Sequence, residues 1–312
     1  MTGGERRSRP GRRLAPWTAD LSIHCCAMSR HRAELVELVR RVRRRAARWL
    51  APEYEQELRE TRRQLQRARK RLRKARAELS AAREHSPLFD GEIPERVGRT
   101  VAAVRDERLT YLKAGMLEDL AACVLQIERD GVAGVVIEAG TARGGSAIVL
   151  AAAKAPERPM KVYDVFGRIP PPSERDGADV HRRYATIAAG EAKGPGGETY
   201  YGYRDDLYHE VEDAFARYGV AVGQHNVELV RGLFEDTIRL DEPVALAHLD
   251  GDWYESTMTC LTRIAPLLVS RGRIVLDDYY TWSGCRRAVD EYFAGREGYR
   301  LEHRTKLHVV RD

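Results

Sequence analysis

The chain has 312 residues, 43% of them hydrophobic and 32% charged, with a formal net charge of +6. That length admits one large core plus an appendage, and no apolar run of ~18 residues marks a transmembrane helix. The charge is uneven: residues 1–86 hold 24 Lys and Arg against 10 Asp and Glu, whereas the remainder holds 29 against 37. The basic character therefore belongs to the N-terminal part, which suits an anionic surface, an acidic partner or simply a solvated helical face.

Residues 1–30 are rich in Gly, Pro and Arg without periodicity and are expected to form a disordered basic tail. No apolar stretch typical of a signal peptide precedes Met28, which is itself a candidate start. Residues 31–86 read as a basic helical segment. Leu35, Leu38, Val42, Ala46 and Trp49 fall at helical spacing, and Pro52 ends or kinks that helix. Leu58, Leu65, Leu72 and Leu79 then recur every seven residues, with mostly small residues at Thr61, Ala68, Ala75 and Ala82. This pattern predicts a short, weak coiled coil and a homo-oligomer. Pro52 interrupts the helix where a basic-zipper protein needs continuity, so a nucleic-acid partner is not expected.

After Pro87 strands and helices alternate. A helix is expected over 106–130, a strand over 134–138, a helix over 144–154 and a strand over 160–164. A long irregular stretch, 167–205, comes next and reads as a lid, because a structureless segment of that length in a compact domain is usually functional. A helix over 206–218, strands over 227–231, 244–249 and 273–276, helices over 255–269 and 284–294, and a final strand pair within 299–310 complete the series. The alternation predicts an α/β fold with a doubly wound, mostly parallel sheet.

Cys25, Cys26, Cys123, Cys260 and Cys285 show neither metal-ligand spacing nor a disulfide framework. Reduced thiols and a cytoplasmic chain are therefore expected.

Two strand ends carry the chemistry. Ala-His-Leu-Asp-Gly-Asp-Trp-Tyr starts at Ala247, and Arg-Ile-Val-Leu-Asp-Asp-Tyr-Tyr starts at Arg273. A right-handed crossover between these strands makes them parallel and puts Asp250, Asp252, Asp277 and Asp278 on one edge, where ligands of open α/β sheets bind. Carboxylates gathered there repel one another unless a cation sits among them, and a hard divalent ion with oxygen ligands is the simplest candidate. A cluster of strand-end caps is the bland alternative. Upstream, Val-Val-Ile-Glu-Ala-Gly-Thr-Ala-Arg-Gly-Gly-Ser (135–146) has an acid, a glycine turn and a helix start. It is neither a dinucleotide fingerprint nor a phosphate loop. Glu138 could accept from an ammonium group, and Asp164, at the next strand end, lies where nucleotide-ribose binders hold the sugar hydroxyls. Asp236 is a further cofactor-pocket candidate, or a helix N-cap. His181 and His209 near the lid are candidate bases or surface histidines. Tyr200, Tyr201, Tyr203 and Trp253 could stack on an acceptor or pack the lid.

Glu-Ala-Gly-Thr-Ala-Arg-Gly-Gly-Ser (138–146), Gly-Leu-Phe-Glu-Asp-Thr (232–237), Leu-Asp-Gly-Asp-Trp-Tyr-Glu-Ser-Thr (249–257) and Val-Leu-Asp-Asp-Tyr (275–279) together resemble the macrocin O-methyltransferase family. The resemblance spans about residues 100–310. It implies a Rossmann-like methyltransferase that uses S-adenosylmethionine and Mg²⁺ to methylate a sugar hydroxyl of a glycosylated natural product or polysaccharide. It also implies that Asp250, Asp277 and Asp278 hold the metal, that Asp250 doubles as general base, and that Glu138, Gly140, Ser146 and Asp164 line the cofactor site. The 167–205 stretch does not align with the family's lid, and the heptad segment is additional. A phenolic or catechol-like acceptor, or a catalytically silent docking module, remain the alternatives. A small-molecule or glycoconjugate acceptor is expected in the first two cases.

Overall fold

A computed structural model describes residues 38–39, 41–42, 57–71 and 88–312. The chain divides into two units, Met1–Ala77 and Glu78–Asp312. In the first unit residues 57–71 are helical, and Leu58 and Leu65 are half exposed, at 52% and 50%. The expected tail (1–30), Pro52, Leu72 and Leu79 lie outside the described residues, as do Cys25 and Cys26. Cys123, Cys260 and Cys285 are free and buried. Among the described residues no helix is long and apolar enough to cross a membrane.

The second unit is an α/β sandwich around a seven-stranded sheet. Its elements are α1 (Glu95–Asp106), α2 (Ala114–Arg129), β1 (Val135–Ala139), α3 (Gly145–Ala153), β2 (Met160–Asp164), α4 (Ala178–Ala188), α5 (Leu207–Arg217), β3 (Val227–Arg231), α6 (Phe234–Thr237), β4 (Val244–Leu249), α7 (Tyr254–Ile264), β5 (Leu268–Leu276), α8 (Ser283–Phe293), β6 (Tyr299–His303) and β7 (Leu307–Arg311). The strand order is β3-β2-β1-β4-β5-β7-β6. The first five strands are parallel, and β7 joins them antiparallel to β5.

The period-two alternation of each strand sorts its side chains into two cores. Val136, Val162, Leu246 and Val275 face one core with Val97, Leu117, Ile148 and Phe215. Ile137, Ala139, Tyr163, Leu249, Ile274 and Leu276 face the other with Leu261, Ile264 and Val289. Because helices cover both faces, the central strands read as unbroken apolar runs. Every residue of α3 is buried, which explains its run of Ala, Ile, Val and Leu.

Three expectations need correction. The helix expected over 106–130 is α2, which starts only at Ala114, and a further helix, α1, precedes it and ends at Asp106. The stretch 167–205 is not structureless. It holds α4 and the 3-10 turns Pro195–Gly197 and Tyr201–Tyr203, with a small core of Ile169, Val180, Ile187, Ala192, Tyr200 and Trp253. Lastly, α7 stops at Ile264, and β5 starts at Leu268 rather than at 273.

Candidate active site

β1, β4 and β5 end level with one another, Ala139 opposite Leu249 and Leu249 opposite Leu276. The ladder runs one residue further. Gly140 N donates to Tyr163 O at 2.8 Å, Asp250 N to Ala139 O at 2.8 Å, and Asp277 N to Leu249 O at 2.9 Å. Gly140, Asp250 and Asp277 are thereby fixed along the carboxyl edge, where the strand order reverses between β1 and β4. A crevice at that switch point is where open α/β sheets take ligands. A cavity of about 380 Å³ lies there.

Its floor on one side is the turn after β1. Gly140 has φ +92°, and a Cβ on it would stand 2.0 Å from the Asp250 carbonyl oxygen. Only glycine allows the two strand ends to come that close. Asp164 holds the turn: its Oδ2 accepts from Thr141 N at 2.7 Å and Ala142 N at 3.2 Å, and its Oδ1 from Phe166 N at 2.7 Å. Burial pushes the Asp164 carboxyl up, and these three backbone donors pull against it. Gly140, Thr141, Ser146 and Asp164 line the cavity, and the buried Thr141 hydroxyl has no partner there. Glu138 does not line it. Its carboxylate lies inside the sheet, accepts from the Ser146 hydroxyl and pairs with His248 Nδ1 at 2.9 Å, so neither oxygen is free for a ligand's ammonium group. Asp236 does not line the cavity either. It sits within α6, while Leu233, Phe234 and Glu235 reach the wall.

The acids gather on the other side. One oxygen each from Asp250, Asp252 and Asp278 lies within 4.8 Å of the others. Burial pushes the Asp250 carboxyl well up, with repulsion from Asp277 and then Asp278 adding to it. Asp278 is raised likewise by burial, Asp252 and Asp277. Burial and Asp250 push Asp252 up to about 8. Asp252 has φ +58°, uncommon for a residue with a Cβ and typical of backbone held at functional sites. Trp282 Nε1 donates to its Oδ1 at 2.8 Å. Three acids that repel when ionised have the donor set of a hard-cation site.

Asp277 behaves differently from its neighbour. Lys306 Nζ stands 2.7 Å from its Oδ2, and His248 Nε2 stands 3.5 Å from its Oδ1. Burial works to raise Asp277, but His248 and Lys306 hold it below the usual carboxylate range. Burial likewise works against a charged His248, yet Glu138 and Asp277 hold its pKa well above the ordinary value. A buried polar chain thus runs from Ser146 through Glu138, His248 and Asp277 to Lys306. His248 and Lys306 are the functional neighbours missed in the sequence. His248 stands two residues before Asp250 and could have been noticed; Lys306 lies far along the chain, without a motif.

Residues of the 167–205 stretch, with Trp253, form the third side. Tyr200, Tyr201, Trp253 and Arg183 line the cavity. Tyr200 and Tyr201 lie 4.3 Å apart, Trp253 and Trp282 5.8 Å. The remaining lid candidates lie elsewhere: Tyr203 donates its hydroxyl to Ile187 O at 2.5 Å, His181 is exposed, and His209 pairs with Asp206 at 2.7 Å on the surface. None of these three lines the cavity.

Residues 53–300 match the family described as Macrocin-O-methyltransferase (TylF). Over 196 residues the chain is 31% identical to the demethyldecarbamoylnovobiocin O-methyltransferase of Streptomyces niveus, covering 59% of this chain and 68% of that protein. Over 220 residues it is 33% identical to the 8-demethyl-8-(2,3-dimethoxy-alpha-L-rhamnosyl)-tetracenomycin-C 4'-O-methyltransferase of Streptomyces olivaceus, covering 68% and 77%. Among solved structures it resembles the O-methyltransferase NovP, with a TM-score of 0.53 and 27% identity over 67% of this chain and 87% of that one. The chain belongs to the macrocin O-methyltransferase family and is an S-adenosylmethionine-dependent O-methyltransferase.

Proposed function

We propose that this enzyme transfers a methyl group to a sugar hydroxyl of a glycosylated natural product or polysaccharide, with a divalent cation such as Mg²⁺ held by its acids. The observation that carries the reading is the convergence of Asp250, Asp252 and Asp278 beside the glycine turn, in one cavity. The tetracenomycin relative is named for methylation of a rhamnosyl 4'-oxygen, which supports a sugar acceptor.

The residues fit both absent groups. Gly140, the unpartnered Thr141 hydroxyl, Ser146 and Asp164 form the donor side, where Gly140 lets the methyl donor approach the backbone. Asp250 and Asp278, joined by Asp277, would hold the cation. Lys306 and His248 already face Asp277, whereas the raised pKa values of Asp250 and Asp278 mark two carboxylates that lack a counter-charge of their own. A bound divalent cation would lower the pKa of a coordinated hydroxyl and fix its orientation.

The chain's own groups do the rest. Asp250, and Asp252 beside it in the converging trio, are the carboxylates placed to take the acceptor's proton. Asp252 has one oxygen fixed by Trp282, which leaves the other for a proton. S-adenosylmethionine, held on the side of the glycine turn, would supply an electrophilic methyl carbon, and the residues around the acids would present the acceptor hydroxyl to it in line. Positioning by the lid aromatics and by the turn supplies much of the rate.

Methyl transfer assayed against glycosylated and simple phenolic acceptors, with Mg²⁺ and with excess chelator, tests the reading. Turnover of the glycosides, abolished by chelator and restored by Mg²⁺, is expected. Full activity in chelator removes the cation, and turnover of phenols alone removes the sugar acceptor.

A further inference from the structure

The acid cluster has four carboxylates but only three of them converge; the fourth, Asp277, faces Lys306 and His248. This lysine sits in the hairpin between β6 and β7, outside the five parallel strands and the motifs that carry the acids. Its ammonium group reaches back across the edge of the sheet. It stands 2.7 Å from Asp277 Oδ2 and donates to the Asp277 backbone oxygen at 2.8 Å. Its side chain is only 14% exposed, and it lines the same cavity as the acids. Asp277 has no place in the converging trio of Asp250, Asp252 and Asp278, and its Oδ1 makes no hydrogen bond.

We propose that Lys306 is a built-in counter-ion that competes with the divalent cation for Asp277 and so sets the cation affinity of the site. The inference rests on the cation reading above. Without a cation, the ammonium group keeps Asp277 compensated and holds it away from the other acids. When a cation enters, Asp277 must exchange its close pairing with Lys306 for a place with Asp250 and Asp278. Lys306, anchored also to the Asp277 backbone oxygen, stays nearby as an unfavourable positive charge. The device makes binding weaker and reversible while the cation-free enzyme keeps its acids in place. The environment of Lys306 agrees: burial disfavours its charge, but Asp277, Asp250 and Asp278 together raise its pKa above the ordinary value.

The test is a Mg²⁺ titration of the full chain without donor or acceptor, followed by tryptophan emission. Trp282 donates to Asp252 and Trp253 lies beside it, so both report on the cluster. The unaltered enzyme is expected to show a saturable change, and its absence would overturn the cation reading itself. Lys306→Met is expected to bind Mg²⁺ more tightly, on the order of tenfold, because one unit charge close to a divalent ion is removed. Its melting temperature should fall without Mg²⁺ and recover with it. Lys306→Arg keeps the charge and should keep the weaker affinity, which separates electrostatics from damage to the fold. If Lys306→Met binds Mg²⁺ as the unaltered enzyme does, or more weakly, while the unaltered enzyme still titrates, Lys306 does not compete and the proposal is overturned.

Discussion

A methyl group at position 140 would stand 2.0 Å from the Asp250 carbonyl oxygen, on a residue whose φ is +92°. Neither the oxygen nor the backbone can move cheaply, since Asp250 N is bonded to Ala139 O. Gly140→Ala should therefore destabilise the domain by ~3–5 kcal/mol, a steric and backbone-strain effect at one position. It should also remove binding of S-adenosylhomocysteine. Thermal melts and calorimetry check both, and a variant with unchanged melting and affinity would show that the turn can open. His308 gives a residue-scale prediction of another kind. It is buried on β7, and Arg273 Nη1 donates to its Nδ1 at 3.0 Å, which requires that nitrogen to be unprotonated. Burial, and then repulsion from Arg273, hold its pKa well below the ordinary 6.5. As pH falls through 6.5 the unfolded chain takes up a proton that the folded chain refuses, so the native state loses stability below that point. The slope from this one group approaches roughly 1.4 kcal/mol per pH unit. His308→Gln can still accept from Arg273 but does not titrate, so its loss of stability between pH 6.5 and 5 should be smaller than that of the unaltered enzyme. Chemical denaturation of both chains at several pH values measures the difference, and parallel curves would exclude His308 as the cause.

At the scale of elements, the first arm of the lid is tied to the helices that follow the acid loops. Asp176 Oδ1 accepts from Tyr254 N at 2.9 Å, the first amide of α7, and its Oδ2 from Ser173 N at 3.0 Å. It fits because position 284, in α8, has no side chain: a Cβ there would meet Asp176 Oδ1 at 1.8 Å. Asp179 accepts from Ser283 N, at the start of α8. Trp253 Nε1 donates to Pro170 O at 3.0 Å. Asp176→Ala strands a buried amide and should weaken lid docking by ~1–3 kcal/mol. Cleavage within 167–205 by a dilute protease should accelerate, and the acceptor KM should rise while affinity for S-adenosylhomocysteine holds; unchanged cleavage would show that the lid is fastened elsewhere. These ties also show why the sequence was legible in some places and opaque in others. Strands β1 and β4 could be read because burial on both faces makes them mostly apolar, and the acids at 250, 252, 277 and 278 because each pair directly follows an apolar strand end. The lid was not readable: its helix α4, Ala-Asp-Val-His-Arg-Arg-Tyr-Ala-Thr-Ile-Ala, buries only Val180 and Ile187, too thin a stripe to stand out. Glu138 looked like a ligand group because it follows three apolar residues. Its partners Ser146 and His248 come from other elements, and only the folded register shows that they consume both of its oxygens.

Across the whole molecule, the sequence separates a basic N-terminal part, residues 1–86, from an acidic remainder, and the structure has two units, Met1–Ala77 and Glu78–Asp312. The second unit has its own sheet, two cores on the faces of that sheet and the complete cavity. What the first unit does follows from its own composition. Between 57 and 71 it is helical and carries seven Lys and Arg against two Glu, with Leu58 and Leu65 on its surface. Leu58 and Leu65 are half-exposed leucines one heptad apart, and the heptad continues in sequence at Leu72 and Leu79. We expect this row of leucines to pair with a second copy of the chain, weakly, because the companion positions Thr61 and Ala68 are small. The basic residues along the same helix repel one another across such a pair, so association should strengthen as salt screens them. A chain starting at Pro87 should stay folded and bind S-adenosylhomocysteine as the full chain does, yet lose part of its self-association. Light scattering of both chains over a range of concentration and ionic strength measures this. Equal masses under every condition would mean that the heptad is a solvated helix and that the enzyme's assembly, if it has one, is built from the catalytic unit.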